Sequence, residues 1–493
     1  MPWSFLACCF IAPEPARVAI IGGGIGGAAT SHYLQRFLAA QRLPKASITA
    51  FERESHVGGR LQEVHFSSQN ALVEIGGAAW TNVNHYMFEL AAAAHVNITT
   101  SPAPSALGAS LSQARIGVWD GSSITPFVPM ALRNALSDIR TLVAELDFLG
   151  SINSNYAKQK SEAPFRNLST FLGWGGIGKY TSKSIEELLV SAGVSAELIR
   201  DFAVPLTRTI YNRNGDANSF AMLASLAAEL SQHHVVGGNS RLVQALFDLE
   251  APELRLALNT SVARIALRST PQSTPEFELF APASAEAVAS ASGPESLGRF
   301  DAVVIAAPIE RSEIAFENMT LPAGAMRDRG FTDWHVTLVE ARDLDMTQFG
   351  PRDALDTAKQ PWACKGNCYI LTTANGTVPA TPYVCLQPLG KHGMPSQSAG
   401  IFMVYSDRPL DASLIDRLFV DVRTTFAHHW LYTFASLVPM RDGGASAQPV
   451  VLHPAGLINA NAVESIASAM EISVIGARNA ARLVAEITSA RVV

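Results

Sequence analysis

The first chemically informative residues are three glycines near the start of the chain. Gly22, Gly24 and Gly27 follow the β-branched run 17–21 and precede residues 28–39, which have a helix-forming composition. In this setting Gly22 would permit a tight turn, Gly24 would let the backbone approach a pyrophosphate, and Gly27 would let the helix pack closely on the strand. The N-terminus of the helix would then offer its free N–H groups to the phosphates.

An acidic residue at the end of the next strand completes the pattern. Residues 46–51 read as a second strand, and Glu52 follows it, 25 residues after Gly27. A carboxylate at this place can accept hydrogen bonds from ribose hydroxyls. The order of strand, helix, strand and acid therefore predicts a dinucleotide-binding βαβ unit.

A second match to the glycine pattern, at residues 173–178, lacks these elements. The preceding residues 167–172 are mixed and polar, and no acidic strand end follows at the required distance. We interpret this match as a glycine-rich loop before a helix. Ser184 and Glu187 have the spacing of a capping box at the start of that helix.

Two glycine pairs follow the βαβ unit closely. Gly58 and Gly59 precede Arg60, and Gly76 and Gly77 end the next apolar run. Paired glycines occur where backbone presses on a flat ligand, and they also occur in ordinary turns. Because both pairs come soon after a dinucleotide unit, we favour contact with the ligand.

Composition restricts the class of partner. Of the 493 residues, 48% are hydrophobic and 16% are charged, which is below the usual charged share of about 25%. The chain therefore buries much apolar area or binds a lipid-like ligand. Its net charge is −6 without a basic run, which disfavours nucleic acid and anionic membrane as partners. No apolar stretch approaches the roughly 20 residues that span a bilayer, so no transmembrane segment is expected, and peripheral membrane association stays open.

The N-terminus and the cysteines leave alternatives open. Residues 1–15 contain a short apolar run that reads as a signal peptide or as a disordered start. Five Asn-x-Ser/Thr sequons agree with the secretory pathway, so the expected location is that pathway, a lysosome or a vacuole, or the cytoplasm if the leader is not a signal. Cys364, Cys368 and Cys385 form no metal-ligand set, and they are either buried thiols or include a disulfide.

Apolar patterning predicts the main strands and the last helix. Residues 300–306 form a continuous apolar run typical of a buried parallel strand, and residues 466–488 read as a long helix. Further strands are expected at 261–267, 334–340 and 400–405.

The resulting fold class is α/β. We predict a discontinuous Rossmann-type dinucleotide-binding domain from residues 16–115, 231–320 and 450–493. Residues 116–230 would form a helical insertion, and residues 321–449 would form a mixed sheet with helices on the substrate side.

The motifs together resemble those of a known superfamily, the flavin monoamine-oxidase-like proteins. The matching segments are 18–27, 51–53, 58–60, 74–79, 237–239 and 301–308. Within this superfamily the chain resembles the prenylcysteine oxidase (prenylcysteine lyase) family. The narrower resemblance rests on residues 184–189, 193–195 and the run to Tyr211, and on 462–471 and 477–480.

The resemblance implies a cofactor and a reaction. It implies FAD bound without a nicotinamide cofactor, and molecular oxygen as the electron acceptor. It also implies cleavage of a farnesyl or geranylgeranyl cysteine by hydride transfer to flavin, which releases free cysteine, a prenyl aldehyde and hydrogen peroxide. In animals the family is lysosomal and glycosylated.

The resemblance also places cofactor contacts on this chain. Arg60 would approach a phosphate or a flavin carbonyl, with a surface salt bridge as the alternative. Val262 would pair its backbone with adenine, with plain core packing as the alternative. Glu471, or the backbone near Met470, would face the ribityl chain and the flavin pyrimidine edge. The complete predicted set is Gly22, Gly24, Gly26, Gly27, Glu52, Arg53, Gly59, Arg60, Gly76, Gly77, Ala78, Val262, Met470 and Glu471.

The implied reaction places few demands on the protein. Removing a hydride from a carbon that is both allylic and bonded to sulfur leaves a stabilised cation. The step then requires a C–H bond held within about 3–3.5 Å of the flavin and no strong base. Candidate tunnel residues recur at helical spacing, with core packing as the alternative reading for most of them: Phe202, Leu206, Ile210 and Tyr211.

Residues that would act on the polar part of a substrate are less well defined. Arg208 and Arg213 are candidate carboxylate ligands, and ordinary surface arginines are the favoured alternative. The catalytic residue is unassigned, with His335 and Tyr211 as candidates, although a histidine on a strand is more often structural. We expect no metal site.

Other functions stay open at this point. The chain could be another flavin oxidase or desaturase that acts on an amine, a polyene or a further apolar small molecule. It could also be a non-catalytic binding protein that retains the fold. A nicotinamide-linked reductase is disfavoured because the sequence contains no second credible dinucleotide unit.

Overall fold

A computed structural model describes residues 14–66, 70–101, 115–126, 135–228, 232–270, 272, 274–283, 294–349, 368–373, 381–389 and 400–492. Residues 1–13 of the predicted leader, Cys364 and the sequon at Asn375 lie outside these ranges.

Strands occur throughout the described part of the chain. In chain order they are β1 Arg17–Ile21, β2 Ser47–Phe51, β3 Glu63–Phe66, β4 Ala71–Glu74, β5 Ile98–Ser101, β6 Arg115–Trp119, β7 Ile124–Pro126, β8 Gln232–Val235, β9 Leu254–Ala257, β10 Arg264–Arg268, β11 Glu276–Phe280, β12 Ser296–Phe300, β13 Ala302–Ile305, β14 Ala315–Glu317, β15 Phe331–Ala341, β16 Asp343–Leu344, β17 Cys368–Thr372, β18 Cys385–Pro388, β19 Gly400–Ser406, β20 Phe419–Val420, β21 Thr424–Ala435, β22 Val451–His453 and β23 Leu457–Asn459.

Helices concentrate between residues 135 and 228, within the helical insertion expected at 116–230. The start of that expected insertion is wrong, because residues 115–119 and 124–126 form β6 and β7, which pair with strands of a sheet instead. In chain order they are α1 Ile25–Ala40, α2 His85–Ala93, α3 Ala135–Ser161, α4 Leu168–Gly173, α5 Gly178–Thr181, α6 Ile185–Ser191, α7 Ala196–Leu198, α8 Val204–Tyr211, α9 Ser219–Ala228, α10 Ser240–Leu249, α11 Ala412–Leu418 and α12 Met470–Val492. Within the described ranges, no helix combines the length and the apolar character needed to cross a bilayer.

The first sheet is largely parallel, and β1 lies at its centre. β2 and β13 flank β1, β9 pairs with β2 and β23 pairs with β13, all in parallel, while β22 adds an antiparallel edge. The strand order therefore reverses at β1, where the chain passes to β2 on one side and β13 on the other. In open α/β sheets, ligands bind beyond the carboxyl ends of the strands at such a reversal point.

Both faces of this sheet are covered, as parallel strands require. Val18 and Val304 belong to the core formed with α1, α10 and α12. Ala19 and Val303, one residue along each strand, face the opposite core with Phe277 of β11. The alternation of side chains along each strand thus separates a helical layer from a four-stranded layer of order β12-β11-β10-β14.

Two expected boundaries are wrong for the same reason. The apolar run 300–306 is divided, because Phe300 ends β12 in the four-stranded layer and Ala302 begins β13 in the parallel sheet. Asp301 connects the two strands. Its carboxylate accepts a hydrogen bond from the backbone N–H of Arg17, the first residue of β1, at 2.7 Å. The expected strand 261–267 likewise begins only at Arg264. An apolar run indicates that its residues are buried. It does not indicate to which sheet they belong.

The last helix also begins later than expected. Residues 460–465 form a 3₁₀ turn, and α12 begins at Met470 rather than at Ile466. The late start places the helix N-terminus beside β1 and the segment 76–78, which matters for the site described below.

A seven-stranded sheet forms the other half of the molecule. Its order is β21-β15-β19-β18-β17-β6-β7, and β15 pairs antiparallel with both β19 and β21. The strands expected at 334–340 and 400–405 are therefore confirmed as parts of β15 and β19. Val73 and Ile75, on and just after β4, pack against Val336 and Met403 of this sheet, which connects it to the nucleotide-binding half.

The capping box predicted at Ser184 is confirmed. The Ser184 hydroxyl accepts the Glu187 N–H at 3.1 Å, and the Glu187 carboxylate accepts the Ser184 N–H at 2.8 Å. The glycine match before it is a packed turn, because a Cβ atom on Gly175 would lie 2.3 Å from the Ser151 carbonyl oxygen of α3. The loop interpretation of residues 173–178 therefore agrees with the structure.

Replacing Ser184 with alanine should destabilise the protein by about 1 kcal/mol, because the first turn of α6 loses its cap. Urea unfolding measures this as a lower midpoint with an unchanged slope. Ser191→Ala, at the exposed last residue of α6, is the matched control and should change the midpoint much less. Equal effects of the two substitutions would show that the capping box does not stabilise α6.

Candidate active site

A cavity of about 1320 Å³ begins at the carboxyl ends of β1 and β2 and extends to the seven-stranded sheet. Its wall includes the glycine-rich turn before α1, the loop 58–62, the segment 76–79 and the start of α12. A typical pocket for one drug-sized ligand has about 300–1,000 Å³. The cavity therefore has room for a large cofactor together with a second molecule.

The glycine-rich turn has the geometry of a phosphate site. A Cβ atom on Gly27 would lie 2.0 Å from the Gly22 carbonyl oxygen, and Gly22 itself has φ +115°. Gly24 is different, because the nearest atom to a Cβ there is the Gly58 carbonyl oxygen at 3.7 Å. Gly24 caps α1 without any side-chain hydrogen bond, and Gly24 and Gly26 line the cavity. The N-terminus of α1 is thus available to an anion.

Glu52 lies at the end of β2 and is 8% exposed, on the cavity wall. One carboxylate oxygen accepts the Gly23 N–H at 2.6 Å, and the other accepts the Glu54 N–H at 2.9 Å. Each oxygen keeps a lone pair that could accept a ribose hydroxyl. Arg53 also lines the cavity, but it is exposed and pairs with Glu54 at 3.3 Å.

The glycine pairs are explained by contacts within the protein. A Cβ atom on Gly76 would lie 2.2 Å from the Arg60 carbonyl oxygen, and one on Gly77 would lie 2.6 Å from Leu61 Cδ2. Gly59 has φ +59° and lies against Gly24. The interpretation that the Gly76–Gly77 pair presses on a flat ligand is therefore not needed to explain these glycines. Gly59, Gly76, Gly77 and Ala78 all line the cavity, and their contact with a cofactor stays a prediction.

Arg60, whose side chain is 34% exposed, lines the cavity and forms an ion pair with the buried carboxylate of Glu464. The pair agrees with the salt-bridge alternative in kind, and contact of Arg60 with a cofactor stays a prediction. Arg60 Nη1 pairs with the Glu464 carboxylate and donates to the Thr433 carbonyl oxygen at 2.6 Å. Glu464 also accepts from Asn461 Nδ2 at 2.7 Å. Burial alone would raise the pKa of Glu464, but Arg60, with Arg329 and Asn461 in support, lowers it to about 2. Glu464 lies 404 residues from Arg60, and no spacing in the sequence signals the pair.

Glu471 caps a helix rather than presenting a free carboxylate. It accepts the N–H groups of Tyr86 and Met87 at the start of α2, each at 2.9 Å, and the Tyr156 hydroxyl at 2.5 Å. The protein thus occupies three acceptor positions of the carboxylate. Met470 and Glu471 both line the cavity, so the choice between the Glu471 side chain and the backbone near Met470 stays a prediction. Val262 is also on this wall, in a segment without strand pairing.

Burial raises the pKa of Glu471 to about 7, although its three donors favour the charged form. The folded state thus holds a proton that the unfolded chain, with a pKa of about 4.3, releases. Stability should fall as pH rises from about 4.3 to about 7, by an amount on the order of 3 kcal/mol. Unfolding free energies across this range should show the slope in the wild type and a smaller slope in Glu471→Gln.

Glu162→Gln, just after α3 where Glu162 pairs with Lys158 at the surface, is the control for this pH dependence. It should keep the slope of the wild type. A Glu471→Gln variant with an unchanged slope would mean that Glu471 is ionised throughout the range.

The predicted tunnel residues divide into two groups. Ile210 and Tyr211 line the cavity, whereas Phe202 and Leu206 are buried in the core away from it. Arg208 donates to Asn214 Oδ1 at 2.6 Å and Arg213 pairs with Asp216 at 3.1 Å. Neither arginine lies on the cavity wall, which favours the alternative of ordinary arginines over that of carboxylate ligands. Both are half-buried rather than fully at the surface.

The two catalytic candidates also differ. Trp334 lines the cavity, and the next residue of β15, His335, is absent from the wall and stacks on His429 with ring centroids 4.0 Å apart. His335 is therefore off the cavity wall, although His429, which stacks on it, lines the cavity, and a catalytic role for His335 stays a prediction. Tyr211 is buried on the wall, 5.8 Å from the Phe434 ring, and burial raises its pKa, so it stays a neutral phenol.

Sequence reasoning missed two apolar parts of the wall. One belongs to the seven-stranded sheet and includes Trp334, Met403 and Tyr405; the other belongs to the helical region and includes Phe148 and Phe220. Helical periodicity could have placed the second pair on buried faces, but it carries no sign that those faces line a cavity. No cluster of metal-ligating side chains occurs among the described residues, and Cys385 is a free, buried thiol.

Comparison with known proteins agrees with this arrangement. The model of the prenylcysteine lyase family matches residues 122–492, and that of the NAD(P)-binding Rossmann-like domain matches residues 20–94. The chain is 24% identical to a farnesylcysteine lyase of Arabidopsis thaliana, over 96% of this chain and 88% of the relative. It is 25% identical to prenylcysteine oxidase 1 of Mus musculus, over 95% of this chain and 88% of the relative.

Solved structures show the same fold at low sequence identity. A cyclohexylamine oxidase from Brevibacterium oxydans superposes with a TM-score of 0.59 at 15% identity, covering 97% of this chain and all of that one. A putrescine oxidase bound to putrescine superposes with a TM-score of 0.59 at 14% identity, covering 95% and 98% of the two chains. The match of the family model over three quarters of the chain decides the assignment: the chain belongs to the prenylcysteine lyase family.

Proposed function

We propose that the protein is an FAD-dependent oxidase that cleaves the thioether of a prenylated cysteine. The products would be free cysteine, a prenyl aldehyde and hydrogen peroxide, with molecular oxygen as the electron acceptor. The observation that carries the proposal is one cavity that joins a dinucleotide-binding turn to extensive apolar walls. Membership of the prenylcysteine lyase family, and relatives named for farnesylcysteine and prenylcysteine, support the substrate class.

The residues on the cavity wall fit FAD. The turn at Gly22 and Gly24 with the N-terminus of α1 would hold the pyrophosphate, and Glu52 would accept the adenosine ribose hydroxyls. The segment 76–78 and the backbone at Met470 would lie along the ring system. When bound, the flavin supplies a two-electron acceptor for a hydride from the carbon next to sulfur.

The chain would contribute the position of the prenyl group and of one attacking water molecule. Water adds to the carbon that has lost the hydride and releases a proton, and the C–S bond of the resulting hemithioacetal then breaks to give thiol and aldehyde. The apolar walls around Trp334 and Ile210 would hold the prenyl group so that its first carbon faces the cofactor. Tyr211, as a neutral buried phenol, could orient the attacking water without acting as a base.

Two measurements test the proposal. Purified protein should have flavin absorbance, and farnesylcysteine with oxygen should yield hydrogen peroxide and free thiol in equal amounts. A yellow protein that oxidises putrescine or cyclohexylamine but not farnesylcysteine would support an amine oxidase instead. A colourless protein that takes up no FAD would support a non-catalytic binding protein. The location in the secretory pathway and peripheral membrane association stay predictions.

A further inference from the structure

One part of the cavity wall belongs entirely to the helical region. We call it the helical lobe and define it by Phe148, Ile152 and Tyr156 of α3, Phe171 of α4, and Phe220 and Ala224 of α9. Of these residues only Tyr156 carries a polar group. The lobe is lined mainly by aromatic and aliphatic carbon, and its residues belong to other helices than the α8 residues that helical spacing suggests as a tunnel.

Polar groups on these three helices that face the cavity already have partners. Asn155 donates to the carbonyl oxygens of Phe171 and Trp174, and its own oxygen accepts from Gln159 at 2.7 Å. Ser225 donates to the Ala221 carbonyl oxygen at 2.8 Å. A polar ligand group that enters the lobe would therefore lose its hydrogen bonds to water and gain none from the protein, which is unfavourable. A hydrocarbon chain makes no hydrogen bonds to water, so its transfer from water into the lobe is favourable.

The lobe opens beside the predicted flavin contacts. The Tyr156 hydroxyl donates to Glu471 at 2.5 Å and to the Val83 carbonyl oxygen at 3.2 Å, and Glu471 follows Met470 on the cavity wall. A chain lying in the lobe would thus have one end next to the segment where hydride transfer is proposed.

Stacked rings lie at Phe148, which precedes Tyr156 by eight residues on α3, or about 12 Å along the helix axis. Phe148 and Phe220 meet edge to face with centroids 5.1 Å apart, and they are 2% and 4% exposed. Behind them Tyr180 packs on Phe148 at 5.2 Å, and its hydroxyl donates to the exposed Asp147 at 2.7 Å. These three rings therefore lie between the lobe and the exposed Asp147.

Resting on the proposed function, we propose that the prenyl chain lies in the helical lobe and that the Phe148–Phe220 pair determines the longest chain accepted. Each isoprenoid unit has about as many carbons as one phenyl ring. Removal of one ring from this pair would therefore admit about one further unit, and the pair acts on chain length through direct contact with the end of the hydrocarbon.

The test compares chain-length preference in the holoenzyme and its variants. In Phe148→Ala, the ratio of kcat/KM for geranylgeranylcysteine to that for farnesylcysteine should rise about tenfold or more, since even one methylene is worth about tenfold in an apolar pocket. Phe247→Ala, at an equally buried ring of α10 away from the cavity, is the matched control and should leave the ratio unchanged. An unchanged ratio in Phe148→Ala, or an equal change in both variants, would overturn the proposal.

A binding measurement separates this proposal from the proposed reaction. S-dodecylcysteine and S-hexadecylcysteine lack the alkene, and their equilibrium binding to flavin-loaded protein does not depend on turnover. Phe148→Ala should improve binding of the longer compound relative to the shorter one about tenfold, even if no prenylcysteine is oxidised. Phe148→Leu and Phe220→Leu, which retain a buried aliphatic group, should shift the ratio in the same direction by less and would replace an alanine variant that fails to fold. No relative change in binding for these variants would overturn the proposal whether or not turnover is observed.

Discussion

Replacing Gly24 with aspartate is expected to give a folded protein without bound flavin. Gly24 has φ −83° and ψ −173°, which any residue can adopt, and a Cβ atom there meets nothing closer than 3.7 Å. Aspartate is also a favourable N-cap, and its charge suits the N-terminus of α1. The same carboxylate would occupy the place proposed for the pyrophosphate and would repel its charge. Flavin content and peroxide release should both fall more than tenfold, while the melting temperature of apoprotein is unchanged or higher.

Gly150→Asp is the matched control for this substitution. Gly150 is an exposed residue of α3 with no atom within 4 Å of its Cβ position, and it lies away from the cavity. This variant should retain the visible spectrum and activity of the wild type. Wild-type flavin absorbance in Gly24→Asp would show that the pyrophosphate does not bind at this turn, and the proposed cofactor site would have to be abandoned.

The second large effect is expected from Glu464→Gln, which removes the charge that compensates Arg60. Glu464 is 1% exposed, whereas the Arg60 side chain is 34% exposed and keeps part of its hydration when its partner is removed. The cost should therefore lie below the about 3–5 kcal/mol of a fully buried pair, at about 2 kcal/mol. Urea unfolding of the variant should show a loss of this size at pH 7. Substituting both partners, as Arg60→Met with Glu464→Leu, should recover part of the loss, because no isolated charge remains.

The pH dependence of the same variant has a definite sign. The pKa of Glu464 is lowered to about 2 in the folded protein, against about 4.3 in the unfolded chain. Its contribution to stability is therefore complete above about pH 4.3 and is lost as pH falls toward 2. The difference between wild type and Glu464→Gln should shrink over that interval.

Glu486→Gln is the control for this pair, because Glu486 and its partner Arg166 are largely exposed and 3.4 Å apart. It should cost less than about 1 kcal/mol. Equal losses in the two variants would contradict the interpretation that burial of Glu464 makes the pair important.

Features that depend on neighbouring residues could be predicted from the sequence. The turn from Gly22 to Gly27 and the capping box of Ser184 and Glu187 each depend on groups within a few residues, so spacing alone describes them. The position of Glu52 can also be predicted from spacing. The lengths of α1 and β2 together determine how many residues separate Gly27 from the end of β2. These elements were sufficient to predict the fold class and the end of the sheet at which a nucleotide would bind.

Patterns that report only burial gave partly wrong boundaries. The run 300–306 is apolar except for Asp301, yet its residues belong to two sheets. Phe300 lies in β12 of the four-stranded layer and Ala302 lies in β13 of the parallel sheet, and both layers are buried. The spacing at Phe202, Leu206, Ile210 and Tyr211 likewise marks a buried face, and only the last two residues reach the cavity. Periodicity cannot distinguish a face that meets another helix from one that meets an empty space.

By itself, the sequence determined a Rossmann-type α/β protein with a phosphate-binding turn, because the interactions involved are local and leave a fixed spacing. Only the tertiary structure decided that Arg60 pairs with Glu464, that Glu471 caps α2, and that Phe148 and Phe220 meet edge to face on the cavity wall. The residues of the first two of these contacts are separated by more than 380 positions. Their meeting depends on how the sheets and helices pack, and packing brings side chains together without leaving a spacing in the chain.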